Sequence, residues 1–315
     1  MKLNEMLGIQ YPIIQGGMAN IATGEFAAAV SNAGGLGLIG SGGMNADTLK
    51  EQIRICKSLT KNPFGVNLML MNPDTEKMAQ ILVEEGVKIV TTGAGSPGKY
   101  VPMWKEAGMK IFPVVSGVAL AMRMQRCGVS GVIAEGTESG GHVGEMTTMT
   151  LVPMIADRLE IPVIAAGGIA DGRQLLCAFA LGAVGVQIGT ALLATKECPI
   201  HENYKQAVVQ AKDNGTTVTG RISGVPVRIL KNQMAREYIR LEKAGAKKEK
   251  LEQYTLGSLR RAVFEGDTKN GSLMAGQVVG QIHEIRSVKE VLDGICREYR
   301  ETLKKLEETE LYHTK

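Results

Sequence analysis

The chain has 315 residues, of which 44% are hydrophobic and 22% charged, and its formal net charge is +4. This composition is typical of a folded globular protein and excludes wholesale disorder. Glycine is abundant, at 39 residues, whereas aromatic residues make up only 4%. Abundant glycine favours tight turns and close backbone approaches to a ligand. Scarce aromatic residues argue against stacking on single-stranded nucleic acid, so we expect no nucleic-acid partner.

The N-terminal segment MKLNEMLGIQ lacks the apolar stretch of a signal peptide. No apolar run approaches the roughly 20 residues that span a bilayer. The five cysteines are scattered and form no Cys-x-x-Cys pair. We therefore expect a reduced, cytoplasmic protein with no membrane partner and no metal site.

Short apolar runs and helix-length amphipathic segments alternate over the first 190 or so residues. The predicted buried strands are residues 11–15, 36–40, 64–70, 87–91, 110–115, 131–135, 162–166 and 184–188. Several of the intervening helices, such as 48–59 and 75–85, lead to a glycine just before the next strand, which is typical of a helix C-terminal cap. Strands that are apolar on both faces and alternate with helices predict a parallel sheet covered by helices.

Eight such units, at about 24 residues each, predict an α/β fold of the (β/α)8 TIM-barrel type. The alternative is an open doubly wound sheet, because residues 35–40 match the pattern G-x-G-x-x-G. In that fold the glycines form a turn between a strand and a helix. Here they lie inside a predicted strand with no helix start after them, so we interpret the match as accidental.

The pattern changes after about residue 195. Residues 201–250 contain eleven Lys and Arg against five Asp and Glu, so this stretch is +6 and the rest of the chain is −2. Residues 231–254 and 288–311 read as helical. We predict three parts: a barrel over residues 1–195, a smaller and mostly helical lid lobe over 196–285, and a C-terminal helix over 286–315 that packs on the barrel.

Polar side chains stand where several predicted strands end, which is where parallel barrels bind ligands. They are Gln15, Asn67, the Thr91-Thr92 pair, Glu135 and Gln187. A buried amide without a hydrogen bond costs about 1–3 kcal/mol. Each residue alone could serve only the barrel rim, but several at equivalent positions favour a common polar ligand.

Two glycine segments follow the last two predicted strands, namely Gly167-Gly168 and Gly189-Thr190. Glycines at these positions either allow tight turns or expose N–H groups to a phosphate. Asp171-Gly172 opens the next predicted helix, whose free N-terminus is expected to add partial positive charge to such a site. Their order in the final two units favours a phosphate site, to which the Thr190 hydroxyl can also donate.

His142 lies in the glycine-rich segment ESGGHVGE after the sixth predicted strand. Its glycine neighbours offer it no side-chain packing, and histidine can donate a hydrogen bond or a proton near neutral pH. We therefore predict a catalytic or substrate-contacting role. His201, His283 and His313 lie outside such loops and are expected to be structural or solvated.

The segments YPIIQGGM, AGGLGLIG, PFGVN, VTTGAG, VIAEGTESGGHVGE, IPVIAAGGIADG, VQIGT and GSLMAGQ occur in this order across nearly the whole chain. Together they resemble the flavin-dependent enoyl-acyl-carrier-protein reductase II family, which is close kin of the nitronate monooxygenases. The resemblance implies a TIM-type barrel that binds FMN, uses NADH or NADPH as reductant and reduces trans-2-enoyl thioesters on acyl carrier protein. A homodimer is compatible with this description.

The resemblance also implies roles for individual residues, with His142 as the active-site histidine. The cofactor-binding set is Gly17 and Met18 at the flavin ring, Asn67 and Glu135 at its polar edge or ribityl chain, Gly141 beside His142, Gly167, Gly168, Gly189 and Thr190 at the phosphate with Gln187 beside it, and Met274 and Gln277 from the second lobe.

Two positions depart from the reductase pattern. Asn20 stands where Trp is common, and Val225 precedes Pro226 where His is common. One alternative is a nitronate monooxygenase, in which His142 acts as the base toward a nitroalkane. A second alternative is a flavin-binding regulatory protein without turnover. The local positive charge of residues 201–250 favours docking of an acidic carrier protein and hence the reductase. The predicted docking surface includes Arg221, Arg228, Lys231, Arg236 and Arg240.

Overall fold

The computed structural model describes residues 2–309. Its strands are β1 (Ile13–Gln15), β2 (Gly37–Gly40), β3 (Phe64–Met69), β4 (Ile89–Gly93), β5 (Lys110–Val115), β6 (Val132–Glu135), β7 (Gly141–His142), β8 (Val163–Ala166), β9 (Gly185–Ile188), β10 (Thr216–Thr219) and β11 (Val227–Leu230). Its α-helices are α1 (Leu3–Leu7), α2 (Gly24–Asn32), α3 (Ala46–Leu59), α4 (Thr75–Glu84), α5 (Val101–Glu106), α6 (Val118–Arg126), α7 (Thr148–Ala156), α8 (Gly172–Ala180), α9 (Thr190–Leu193), α10 (Glu202–Val209), α11 (Gln233–Lys243), α12 (Lys248–Thr255), α13 (Ser258–Arg260) and α14 (Val288–Glu307). A π-helical turn spans Arg261–Glu265 and a 3-10 helix spans Gln277–Gln281.

Eight parallel strands form the barrel, in the order β1-β9-β8-β6-β5-β4-β3-β2. The two ends of this sheet meet where Ile14 pairs with Leu36 and the Gln15 N–H donates to the Leu36 carbonyl at 2.9 Å. All eight strands match predicted ones to within a few residues, and the TIM-barrel prediction is confirmed. The interior is filled by large apolar side chains such as Leu38, Phe112 and Ile164.

Glycines fix how closely the helices cover this barrel. Gly34, Gly86, Gly108, Gly128 and Gly182 follow helices and have positive φ values between 64° and 101°, as their capping role requires. A Cβ on Gly37 of β2 would lie 1.8 Å from the Ala27 carbonyl oxygen of α2. The glycines of the G-x-G-x-x-G match therefore serve strand-to-helix packing, in agreement with the interpretation that the match is accidental.

The eighth helix of the barrel comes from the far end of the chain. Only the short α9 follows β9, and α14 packs against α8, α9 and α2. Glu298 of α14 accepts a hydrogen bond from the Gly172 N–H at 2.9 Å, and Asp293 accepts one from the Tyr11 hydroxyl at 2.7 Å. The chain thus leaves the barrel after β9, builds the second lobe and returns. The predicted end of the last helix, at residue 311, lies outside the described residues.

The second lobe combines α10–α13 with a three-stranded antiparallel sheet of order β10-β11-β7. This sheet was not predicted, because its strands are only two to four residues long and β7 belongs to the loop after barrel strand β6. The predicted helical stretch 231–254 is two helices, α11 and α12, with a break at Gly245, whose φ is +75°. Among residues 2–309, no helix has the length and apolarity needed to cross a membrane.

Candidate active site

The predicted site residues of the barrel lie together at the carboxyl ends of its strands. Strand pairing places Gln187 beside Ala166, and Ala166 beside Glu135. Asn67 of β3 donates a hydrogen bond from Nδ2 to Thr91 Oγ1 of β4 at 2.8 Å. Since all these strands are parallel, their polar ends converge on one mouth of the barrel.

The loop after β1 packs directly on this rim. A Cβ on Gly17 would lie 2.2 Å from Asn67 Cγ, so only glycine lets the Asn67 side chain lie against the backbone here. Met18 reaches the opposite side of the mouth, where its Sδ lies 3.7 Å from a Cβ built on Gly189. The structure therefore brings Gly17, Met18, Asn67 and Gly189 together, as a shared ligand would require.

Unpaired donors line the ends of β8 and β9. Gly167 and Gly168 both have left-handed backbones, with φ values of +88° and +74°. Within residues 2–309, no protein acceptor is bonded to the N–H groups of Gly167, Gly168 or Gly189. The Thr190 hydroxyl accepts a bond from the Gly276 N–H at 2.8 Å, which leaves its own hydrogen free to donate. These groups form a concave set of donors suited to an anion.

The helices that follow β8 and β9 differ at their N-termini. The first turn of α8 is already capped, because Asp171 accepts from the Gln174 N–H at 2.9 Å and Glu298 accepts from the Gly172 N–H. The start of α9 at Thr190 has no side-chain cap. The expectation that Asp171-Gly172 opens a free helix N-terminus therefore does not hold in the structure.

Two buried amides in the mouth lack partners for part of their hydrogen-bonding capacity. Gln15 accepts from the Leu38 N–H at 3.2 Å, but its Nε2 has no acceptor, and Gln187 Oε1 has no donor among the described residues. Such atoms are costly inside a protein unless a ligand or water pairs with them. Both were predicted as ligand-facing residues, although the predicted set of cofactor-binding residues included only Gln187.

Glu135 is the titratable group deepest in the mouth. Desolvation by the surrounding protein raises the pKa of its carboxyl to about 7. The nearby Ser139 hydroxyl lowers that pKa in part, although its geometry falls short of a hydrogen bond. A carboxyl with this pKa exchanges a proton near neutrality and is easily tuned by a ligand.

His142 lies on β7, where the barrel meets the second lobe. It pairs with Val227 of β11, and the Val143 N–H donates to the Pro226 carbonyl at 3.1 Å. Although much of the residue is exposed, the protein around the imidazole partly desolvates it and lowers the pKa of His142 below its ordinary value. The ring is therefore neutral at pH 7, with one nitrogen able to donate a hydrogen bond and the other able to accept one.

The segment around Met274 and Gln277 closes over the His142 loop. A Cβ on Gly141 would lie 3.4 Å from Met274 Sδ, and the Gln277 N–H donates to the Glu138 carbonyl at 2.8 Å. The Tyr204 hydroxyl donates to the Met274 carbonyl at 2.8 Å and fixes the segment from the lobe side. The Gln277 residue is exposed, so the structure places its backbone, rather than a buried side chain, against the loop.

Two residues that organise this junction were not predicted as site residues. The Glu138 carboxylate accepts the Thr148 N–H at 2.9 Å and so caps α7. Arg228 was assigned to a surface docking patch, yet it is 6% exposed and donates from Nε to the Thr137 carbonyl at 3.1 Å. Net charge along the sequence could not reveal that this arginine points inward.

The two departures from the reductase pattern differ in their relation to the site. Val225 is 42% exposed, and the chain pairs with His142 two residues further on. Asn20 has a left-handed backbone, with φ of +60°, and donates its N–H to the Gly42 carbonyl at 3.3 Å. Asparagine tolerates this conformation better than a bulky residue does.

The other expected features can be placed as well. His201 caps α10 by accepting the Asn203 N–H at Nδ1, which fits its predicted structural role, whereas His313 lies outside the described residues. All five cysteines are free. In the part of the chain that the structure describes, no group of three or more His, Cys, Asp or Glu side chains is arranged to hold a metal ion.

The fold is thus a (β/α)8 barrel, with a polar mouth at the carboxyl ends of its strands and a second lobe against the His142 loop. A family model described as nitronate monooxygenase matches residues 1–298, and the chain belongs to the nitronate monooxygenase family. Membership assigns it to the FMN-dependent oxidoreductases.

The structure matches that of FabK from Thermotoga maritima with a TM-score of 0.95 and 46% sequence identity, covering 97% of this chain and 98% of that one. The chain is 31% identical to (3aS,4S,5R,7aS)-5-hydroxy-7a-methyl-1-oxo-octahydro-1H-indene-4-carboxyl-CoA dehydrogenase of Mycobacterium tuberculosis, over 93% of this chain and 94% of the relative. It is 36% identical to the probable nitronate monooxygenase of Staphylococcus saprophyticus, over 74% and 79% of the two chains.

Proposed function

We propose that this protein is an FMN-dependent enoyl-acyl-carrier-protein reductase that uses NADH or NADPH to reduce trans-2-enoyl thioesters. The observation that carries the proposal is the match to FabK, an enoyl-acyl-carrier-protein reductase II, at 46% identity over 97% of this chain. The M. tuberculosis relative is named as acting on a coenzyme A thioester, which also supports a thioester substrate.

The residues at the barrel mouth fit FMN. The unpaired N–H groups of Gly167, Gly168 and Gly189, together with the Thr190 hydroxyl, would hold its phosphate. The orphaned Gln187 Oε1 and Gln15 Nε2 would pair with polar groups of the flavin or its ribityl chain. Gly17, Met18 and Asn67 would line the ring. When bound, FMN supplies the hydride-transfer chemistry of the reaction.

His142 is assigned the role of hydrogen-bond donor to the thioester carbonyl. Reduction at the β-carbon places negative charge on the thioester oxygen, and a donor aimed at that oxygen lowers the barrier by a few kcal/mol. Because burial lowers its pKa, His142 is neutral at pH 7 and donates through its N–H group.

Nitronate monooxygenase activity is the second candidate, and the family model and the S. saprophyticus relative favour it. A lowered pKa suits this role too, since a neutral imidazole at pH 7 can accept a proton from a nitroalkane. The two candidates therefore use the same site. They differ in the substrate: an enoyl thioester accepts reducing equivalents, whereas a nitroalkane donates them.

Anaerobic spectroscopy of the yellow holoprotein separates the candidates. NADH or NADPH should bleach the flavin, and crotonyl thioester should restore the colour in single turnover. The control is a saturated butyryl thioester, which cannot accept a hydride and should leave the flavin bleached. Failure of NADH and NADPH to bleach, combined with bleaching by a nitroalkane, would replace the reductase with the second candidate. A protein that responds to none of these compounds would be the flavin-binding protein without turnover.

Acyl carrier protein is the proposed macromolecular partner, and exposed basic residues of the second lobe are its proposed dock. The structure narrows this surface, because Arg228 is buried and Arg240 is paired with Glu237 at 2.7 Å. Lys231, Arg236 and Lys243 remain exposed on β11 and α11 or next to them. An acidic carrier would be steered to such a surface at low ionic strength.

A further inference from the structure

Arg228 is a buried cation at the junction of the two lobes. It is 6% exposed, and burial together with the nearby Arg221 lowers its pKa, while Glu138 acts in the opposite direction. A buried guanidinium is costly unless it is paired and hydrogen-bonded. Arg228 lies on β11, the strand that pairs with the His142 loop.

Arg228 makes one side-chain contact with the His142 loop and one with its own lobe sheet. Its Nε donates to the Thr137 carbonyl at 3.1 Å, and its Nη1 donates to Thr216 Oγ1 of β10, also at 3.1 Å. Thr137 begins the loop that carries His142, whereas Thr216 belongs to the second lobe. Because Arg228 itself lies on β11, the bond to Thr137 ties the loop to the second lobe, and the bond to Thr216 holds the planar guanidinium in place against the neighbouring strand.

The backbone of β11 strengthens this link. Arg228 pairs with Gly141 and Val227 pairs with His142, while Ile229 of the same strand bridges to Met274. One strand thus holds both the histidine loop and the segment that covers it. The loop is rich in glycine, and Glu138 anchors its first half to α7 through the Thr148 N–H. The part that carries His142 is held by the contacts with β11.

We propose that Arg228 is a positioning residue that fixes the His142 loop, and with it the imidazole, against the second lobe. It acts through the two bonds of its guanidinium rather than through its charge alone. The effect on catalysis rests on the proposed function, whereas the effect on the environment of His142 does not.

The test compares Arg228→Lys with Arg297→Lys, an exposed control on α14. Lysine keeps the charge but cannot reach both acceptors with a rigid planar group. The charged groups on the elements around His142 are Glu138 and Glu145 on its own loop and Arg221 and Arg228 on the hairpin, and Arg228→Lys changes the charge of none of them.

The first measurement is NMR titration of the His142 imidazole in the holoprotein, with the signal assigned from a His142→Ala variant. We expect a lowered His142 pKa in the wild type and in Arg297→Lys, and a pKa moved up toward the ordinary histidine value in Arg228→Lys, because a loosened loop hydrates the ring. An unchanged His142 pKa in Arg228→Lys would overturn the proposal, because it would mean that the loop keeps its position without the bonds of the guanidinium.

The second measurement compares the rates of the two half-reactions, namely reduction of the flavin by NADH or NADPH and reduction of the enoyl thioester. Arg228→Lys should retain FMN and be reduced by NADH or NADPH at the wild-type rate, while kcat for the enoyl thioester falls roughly ten- to hundredfold. Equal losses in both half-reactions would contradict positioning of His142. If the wild type does not reduce enoyl thioesters, the proposed function fails, and the titration still decides the role of Arg228.

Should Arg228→Lys fail to fold, Thr216→Val removes one of the two acceptors without disturbing the cation. It should shift the His142 pKa in the same direction by a smaller amount. A Thr216→Val protein with wild-type titration and kinetics would contradict the proposal that the guanidinium bonds of Arg228 hold the His142 loop in place.

Discussion

Replacing Glu135 with Gln should remove a pH-dependent loss of stability from the folded protein. The Glu135 carboxyl lies in the barrel mouth, where desolvation raises its pKa from an ordinary 4.5 to about 7. Glutamine has nearly the same shape and cannot ionise. The substitution therefore removes the cost of the charge while preserving the packing.

The magnitude follows from the difference between the folded and unfolded pKa values. Between pH 4.5 and pH 7 the folded state binds more protons than the unfolded state, so stability is greatest on the acid side and falls as pH rises. Since each pKa unit corresponds to about 1.4 kcal/mol, the ionisable Glu135 costs about 3 kcal/mol at pH 7. Glu135→Gln should recover about that amount at pH 7 and very little at pH 4.5.

The assay is denaturant unfolding of flavin-free protein at several pH values, with Glu145→Gln as the control. Glu145 is an exposed carboxylate on the His142 loop, so its replacement should leave the pH dependence intact. Parallel stability curves for the wild type and Glu135→Gln would refute the reasoning, because they would mean that Glu135 ionises in the folded protein as easily as in water.

Three further predictions concern the proposed chemistry. Gly168→Asp should abolish FMN retention, because it puts a carboxylate where the phosphate would bind. The control, Gly168→Ala, adds only a Cβ that lies 3.3 Å from Glu138 Cβ at a positive φ, and it should retain more flavin. Retention is measured as flavin absorbance of the purified protein. His142→Ala should keep FMN but reduce enoyl thioesters about 10²–10³-fold more slowly, whereas His283→Ala should match the wild type, and equal rates in both would make His142 structural. Charge reversal at Lys231 and Arg236 should lower kcat/KM for the carrier-protein thioester but not for the coenzyme A thioester. The loss should become smaller as ionic strength rises toward 0.15 M, where the Debye length is about 8 Å. Equal effects on both substrates would exclude this docking surface.

The barrel could be predicted from the sequence because its signals are local. Each strand is apolar on both faces, and glycines such as Gly86 and Gly182 mark the helix ends that precede the next strand. Strand ends were misplaced by one or two residues where an apolar residue lies just outside the hydrogen-bonded ladder. The β4 strand, for example, begins at Ile89 rather than at Val87.

The parts that could not be predicted all depend on partners distant in sequence. The lobe sheet includes β7, whose partner β11 follows about 85 residues later and is only four residues long. The free N-terminus expected at α8 is occupied by Glu298, which comes from the other end of the chain. Local sequence shows that Arg228 is cationic, but only the tertiary structure shows that it is buried.

The return of the chain through the second lobe places one lobe segment in contact with both the end of β9 and the His142 loop. Thr190, at the start of α9, accepts the Gly276 N–H, and the next residue, Gln277, donates its N–H to Glu138 at the base of the His142 loop. Two successive N–H groups of one lobe segment therefore bind the two halves of the site. A phosphate that engages the Thr190 hydroxyl also restrains this segment, because the same oxygen is the acceptor for Gly276. Cofactor binding is thus expected to order the histidine loop through bonds that the protein already contains, without any contact between the phosphate and His142.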